Sequence, residues 1–214
     1  ASIMSTVFSG NHGDGLRIGA NGVTTLSGEA GFRLSEVSAW TNGDNGVMIG
    51  ENAAQSGNGN AMTVIHAINA SGNGENGLAI GGAGARTELG DAVLEMSDVI
   101  ANSNYVGVVL DVGAQTVSGD ARVDLNTVQA SGNFFGVLLY DGARAVTGNV
   151  AASMHTVHVD QNMVGLATFG GATTEAGDAA IHLDGVQANN GFYGVALLGG
   201  AGSVHGDASF EMVN

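Results

Sequence analysis

The stretch GDARVDLNTVQASGNFFGVLL, residues 119–139, decides the fold. Ala121, Val123 and Leu125 alternate with polar residues, Val128 and Ala130 follow after a short bend, and Val137 and Leu139 alternate again beyond Gly136. Period-two alternation is the pattern of a strand with one buried face. The stretch therefore reads as three short strands with Val123, Leu125, Val128, Val137 and Leu139 pointing inward.

Working outward, the same pattern returns along the whole chain. The glycine at 136 recurs as Gly15, Gly46, Gly77, Gly107, Gly165 and Gly194, so the successive intervals are 31, 31, 30, 29, 29 and 29 residues. An apolar residue follows each (Leu16, Val47, Leu78, Val108, Val137, Leu166, Val195), and the glycine at 119 has its own column, from Gly28 to Gly206. The residue at 128 recurs as Val37, Ile68, Val99, Val157 and Val186. Five positions after the first five members of that column stand Asn42, Asn73, Asn104, Asn133 and Asn162. A period of this length marks units that bury their apolar faces only against their neighbours. Stacked as parallel strands about 4.8 Å apart, seven units make a rod roughly 30 Å long, with the corner asparagines forming a ladder of side-chain amides.

These residues resemble the right-handed parallel β-helix of pectate-lyase-like proteins and autotransporter passenger domains, over nearly all 214 residues. The resemblance implies an all-β solenoid of about seven turns with three short strands per turn, forming one domain over 1–214. It also implies an extracellular or cell-surface location. It does not choose a function, because that fold carries lyases, hydrolases, adhesins and stalks.

Composition narrows the class. Thirty-seven glycines without a proline suit many tight corners in unbroken ladders. A net charge of −15, with five arginines and no lysine, repels phosphate backbones and anionic membrane surfaces. No nucleic-acid partner and no membrane insertion are therefore expected. No cysteine is present, so disulfides and thiol chemistry are excluded. No signal peptide opens the chain, which reads as a mature protein or an excised segment.

Candidate chemistry is sparse. The lyases and polygalacturonase-like hydrolases of this fold cluster aspartates in a groove, the lyases with a basic residue beside them. Here Arg86 and Arg144 share a loop column with Gln115 between them, whereas Arg17, Arg33 and Arg122 fall on other columns. The expectation is no enzyme. Glu29, Asp91, Asp120, Asp178 and Asp207 share one column, broken by Asn149. Stacked carboxylates repel unless solvated, capped or bridged. Calcium is the ion such a column would take, and capping of nearby amides in an Asx-turn is the simpler account, so no cofactor is expected. His155, His158 and Asp160, with His182 and Asp184 one turn later, have the residue types of a metal cluster and put His155 over Asp184. Four converging ligands do not follow from these columns. A hydroxyl column (Thr25, Ser56, Thr87, Thr116, Thr174, Ser203) reads as a structural ladder inside a loop rather than as the flat double rows of an ice-binding face.

The rod is asymmetric along its length. The corner before the anchor glycine is polar in early turns, from His12 to Asp14, Gly43 to Asn45 and Gly74 to Asn76. It then becomes Tyr105-Val106, Phe134-Phe135, Met163-Val164 and Phe192-Tyr193. Four residues after the anchor, Gly19, Gly50, Gly81 and Asp111 give way to Tyr140, Phe169 and Leu198. Tyr105, Phe134, Phe135, Tyr140, Phe169, Phe192 and Tyr193 are thus expected to form a lateral contact surface for another chain or a glycan. At the ends, ASIMSTV and SFEMVN align with the same strand. Ile3, Met4 and Val7 would meet Phe210 and Met212 of a second copy, Ser2–Val7 continuing the sheet begun by Ser209–Asn214, or flanking turns of a longer parent chain. The functional expectation is a structural β-helix, either a head-to-tail filament subunit or a stalk segment of an adhesin. The alternative is a carbohydrate-binding or carbohydrate-active module.

Overall fold

A computed structural model describes residues 1–213 and shows a parallel β-solenoid of about seven turns, with no helix among the described residues. Asn214, the last residue of the expected end-to-end contact, lies outside them. One sheet stacks eight strands in chain order: Ser2–Ser9, Ala30–Trp40, Ala61–Asn69, Ala92–Ile100, Ala121–Gln129, Val150–His158, Ala179–Asp184 and Ala208–Val213. The second stacks Leu16–Ile18, Val47–Ile49, Asn76–Leu89, Val106–Ser118, Phe135–Thr147, Val164–Thr168 and Tyr193–Leu197, and shorter flanking strands extend it in the outer turns.

Register follows the sequence repeat, one period per rung. Leu125 lies between Met96 and Met154, and Val137 between Val108 and Leu166. Val123, Leu125, Val128, Val137 and Leu139 are all buried, as the alternation predicts. The long aliphatics at the centre form one column, Leu34, Ile65, Met96, Leu125, Met154 and Leu183. They belong to one cluster of buried residues, so the apolar core runs through the stack without layering into separate units.

The second and third strands run on as one strand in the turns before Gly185, where the strand stops at Asp184, and the bend between them is a single left-handed residue. Glu36, Ala67, Asp98, Thr127 and Thr156 adopt φ between 54 and 56°, joined by Ser5 at 50° and Gly185 at 61°. Left-handed backbone costs a residue with a Cβ about 1–2 kcal/mol. The ladders on either side impose it, since Asn126 and Val128 remain paired to both neighbouring rungs. Where the repeat shortens, Leu110 pairs with Ile80 but Val112 with Ala83. The extra residue of the earlier turn is absorbed as a bulge at Gly81 and Gly82, where Gly82 has φ of 70°.

Buried polar rows lock the corners. The backbone N–H groups of Asn42, Asn73, Asn104 and Asn133 donate to Oδ1 of the asparagine one rung on, at 3.1, 2.8, 2.7 and 2.7 Å. Their Nδ2 groups, with that of Asn162, reach back to a carbonyl of the preceding corner, such as Ala101 O from Asn133 at 3.1 Å and Ala130 O from Asn162 at 2.8 Å. Amide-to-amide bonds occur only in the first turns, from Asn11 to Asn42, Asn42 to Asn73 and Asn73 to Asn104. The ladder is thus mainly a brace on the backbone, and Asn11 extends it by one rung. The hydroxyl column lies within strands, not in a loop. Ser56, Thr87, Thr116, Thr174 and Ser203 donate to the carbonyls of Gly28, Gly59, Gly90, Gly148 and Gly177, each one rung earlier.

Candidate functional site

The outer face of the second sheet changes character halfway along the rod. In the first three turns Asp14, Asn45 and Asn76 stack as a polar row: Asn45 Nδ2 donates to Asp14 Oδ1 at 2.7 Å and Asn76 Nδ2 to Asn45 Oδ1 at 2.6 Å. Burial alone would raise the Asp14 carboxyl. The Asn45 side-chain and backbone donors and the Arg17 guanidinium outweigh that, holding it below its ordinary value. Beyond Asn76 the same column continues as Val106, Phe135, Val164 and Tyr193. Val106 and Val164, with Leu138 and Ala167, make a small apolar cluster outside the core, against which Val109, Phe135 and Ala196 pack.

This outer cluster separates the expected surface residues into two kinds. Phe135 is half-buried and packs into the cluster. Tyr105, Phe134, Tyr140, Phe169, Phe192 and Tyr193 remain exposed, between 38 and 73%. They form two ridges about six residues apart along the strand, or roughly 20 Å. Tyr105 stacks on Phe134 at 5.2 Å and Tyr140 on Phe169 at 5.4 Å, with planes 12 and 15° apart. The centroid spacing follows the rung spacing, so the rings turn part of their faces to one another. In each of these two pairs one ring face is taken by the neighbour, whereas Phe192 and Tyr193 meet edge to face at 4.7 Å and 86°.

The corner shortens where the aromatics begin. Early turns run Asn42-Gly43-Asp44-Asn45-Gly46 and Asn73-Gly74-Glu75-Asn76-Gly77, whereas the fourth runs Asn104-Tyr105-Val106-Gly107. A side chain on Gly43 or Gly74 would collide with the backbone of the rung before it, at 2.0 Å from His12 O and 1.9 Å from Gly43 O. The longer corner admits only glycine there, and the shorter one turns a large side chain outward.

The acidic column is capped by backbone rather than by local Asx-turns. Oδ1 of Asn60, Asp91, Asp120, Asn149 and Asp178 accepts the N–H of the equivalent residue one rung later, at 2.8–3.0 Å. Arg86, Gln115 and Arg144 do stack in one column, within strands. Arg122 is placed differently from the scatter expected of it. It bonds Asp124 at 2.6 Å, with Glu95 on the neighbouring rung, around a depression of about 330 Å³ that Asn126 and His155 also line. The hydrogen bond it donates to Asp124, the charge of that carboxylate and that of Glu95 raise the arginine further above its ordinary value. The guanidinium is thus tied up with a carboxylate on its own strand.

Of the histidines, His155, His182 and Asp184 come together, one donor atom of each within 4.8 Å of the others. His182 Nδ1 lies 3.1 Å from Glu211 Oε2, and His155 Nδ1 lies 3.5 Å from Asp184 Oδ2. His158 and Asp160 take no part in this group.

At the two ends the first and last strands of the eight-stranded sheet each pair on one side only. Ile3, Phe210 and Met212 stand on the inward columns with Leu34, Ile181 and Leu183. Met4 and Val7 are on outward columns with Ser35 and Ser38 and are more than half exposed. The apolar cross-section at the first rung is instead made by Ile3, Phe8, Leu16, Ile18 and Val23.

The class that fold and surfaces define is a parallel β-solenoid repeat protein. No protein-family model, curated protein or solved structure matches the chain.

Proposed function

We propose that this solenoid is a structural rod of an extracellular or cell-surface assembly, acting as a filament subunit or stalk segment. Its sheets are continued end to end by further rungs, and its aromatic ridges face a lateral partner. The observation that carries the reading is the rung-on-rung stacking. Core columns and backbone ladders run from rung to rung and the asparagine brace runs from Asn11 to Asn162, and the first and last strands of the eight-stranded sheet each pair on one side only, with Phe210 and Met212 of the last 46% exposed. Unpaired strand edges over an apolar cross-section are templates for another rung. The pairing of Arg122 with Asp124 and the stacking of Tyr105 on Phe134 and Tyr140 on Phe169 weigh against the lyase and sugar-platform alternatives.

The ladder supplies a sharp test. Arg33 N–H donates to Ala1 O at 2.9 Å. Since N–H and C=O of one strand residue point the same way, Ile3 also faces the Ala30–Trp40 strand, and Met4 faces the open edge. Met4→Pro removes an outward donor and should abolish end-to-end assembly while leaving the rod folded. Ile3→Pro breaks an internal bond and should destabilise the first rung. Light scattering and electron microscopy of the chain at high concentration provide the readout. Strictly monomeric particles for the unmodified chain would refute growth by self-association; filaments unchanged by Met4→Pro would refute the edge assignment.

A further inference from the structure

The outward face of the eight-stranded sheet near its last rungs carries a group that the rod function does not use. His182 and Asp184 are two residues apart on the strand Ala179–Asp184 and so project from the same face. His155 sits directly over Asp184 on the preceding rung, and Glu211 directly under His182 on the following one. Three rungs thus deliver two imidazoles and two carboxylates to one patch, from strands whose relative positions the ladders fix.

We propose that His155, His182 and Asp184 bind a divalent transition-metal ion of the zinc type, with Glu211 as the residue that positions His182. A carboxylate can only accept, so His182 Nδ1 must carry the proton it shares with Glu211 at 3.1 Å. In the neutral imidazole Nε2 then keeps a free lone pair for a metal ion, the carboxylate–histidine arrangement of metal sites. His155 Nδ1 and Asp184 Oδ2 are 3.5 Å apart, longer than a good hydrogen bond. It is close to the ligand–ligand edge of about 3.3 Å in a tetrahedron with bonds of 2.0–2.1 Å. The 4.8 Å span of the whole group closes by side-chain rotation, for which there is room: the side chains of His155, His182 and Asp184 are 42, 34 and 51% exposed. Imidazole with carboxylate suits zinc, copper or nickel, and calcium prefers an all-oxygen shell. Water completes the fourth position. Bound there, the ion ties two successive rungs together from outside the core, and Glu211 brings in the third.

The test is calorimetric titration of the full chain with zinc ions, with cobalt(II) as a spectroscopic probe. The expected result is one saturable equivalent per chain and the intense visible bands of four-coordinate cobalt. His155→Ala with His182→Ala should weaken binding by ~100-fold or more, and Glu211→Gln by about 10–100-fold, the usual effect of removing a positioning partner. His66→Ala with His158→Ala should change nothing. Zinc should raise the unfolding temperature of the unmodified chain and not of the His155/His182 variant. That variant should unfold at the unmodified temperature when no metal is added, since its side chains contribute nothing to the core. Absence of saturable zinc binding overturns the proposal, as does equal affinity in the His155/His182 variant, which would assign the ion to the diffuse carboxylates of a chain of charge −15.

Discussion

Replacing Asn133 with alanine tests whether the asparagine row braces the rungs or merely fills the corner. Asn133 is 5% exposed. Its Oδ1 accepts the Asn104 N–H at 2.7 Å and its Nδ2 donates to Ala101 O at 3.1 Å. Alanine leaves both backbone groups without partners in a buried corner. At about 1–3 kcal/mol per unsatisfied group, the expected loss is about 2–6 kcal/mol. Asn133→Asp keeps the acceptor but sets a carboxylate against the Ala101 carbonyl, so it should cost at least as much. Gln129→Ala, an exposed position on the same rung, should stay within about 0.5 kcal/mol. Chemical denaturation followed by circular dichroism and by the single tryptophan, Trp40, supplies the free energies if the two transitions coincide. A loss under about 1 kcal/mol for Asn133→Ala, with an unchanged denaturant slope, would show that water or a shifted corner replaces both bonds and would refute the brace.

Leu125→Ala should cost about 2–5 kcal/mol, because the side chain is fully buried between Met96 and Met154; a change under 1 kcal/mol on denaturation would break the core register. Phe134→Ser with Phe169→Ser should weaken lateral association with little loss of stability. Phe135→Ser should lower the unfolding midpoint, since only that ring packs into the outer cluster; sedimentation and thermal unfolding separate the two effects. Asp14, depressed in the folded state, contributes stability that is present above its unfolded value near 3.8 and lost as pH falls through the lower folded value. Asp14→Asn should therefore flatten the acid side of the stability profile, and an unchanged profile would remove Asp14 as a contributor.

The sequence made the inward columns plain because strand alternation and rung repeat coincide there: Val123, Leu125, Val128, Val137 and Leu139 obey both at once. The asparagine row was legible as a column, but its bonding was not, since only the corner geometry decides that Nδ2 reaches a carbonyl rather than the next amide. The left-handed bend left no trace. Glu36, Ala67, Asp98, Thr127 and Thr156 share no residue type that signals positive φ, and tertiary pairing overrides their preference. Asn11 escaped because Thr6 replaces the Val or Ile that marks its column elsewhere. Register put His155 over Asp184, but the diagonal approach of His182 depends on side-chain torsions that no column records. The split between Phe135 and its exposed neighbours has the same origin, since adjacent residues at a shortened corner need not alternate in and out.

The seven rungs also meter length. Strands and their ladders lie across the axis, so a force applied to the two ends loads the bonds of one rung boundary at a time rather than many in parallel. Each detached turn in the later half releases 29 residues, about 100 Å of contour at about 3.4 Å per residue, before the next boundary is stressed. Extension of a single tethered rod should then proceed in near-equal steps, and the 31-residue turns of the first half lengthen each step by about 7 Å. The order of long and short steps would tell an observer from which end the rod is being unwound.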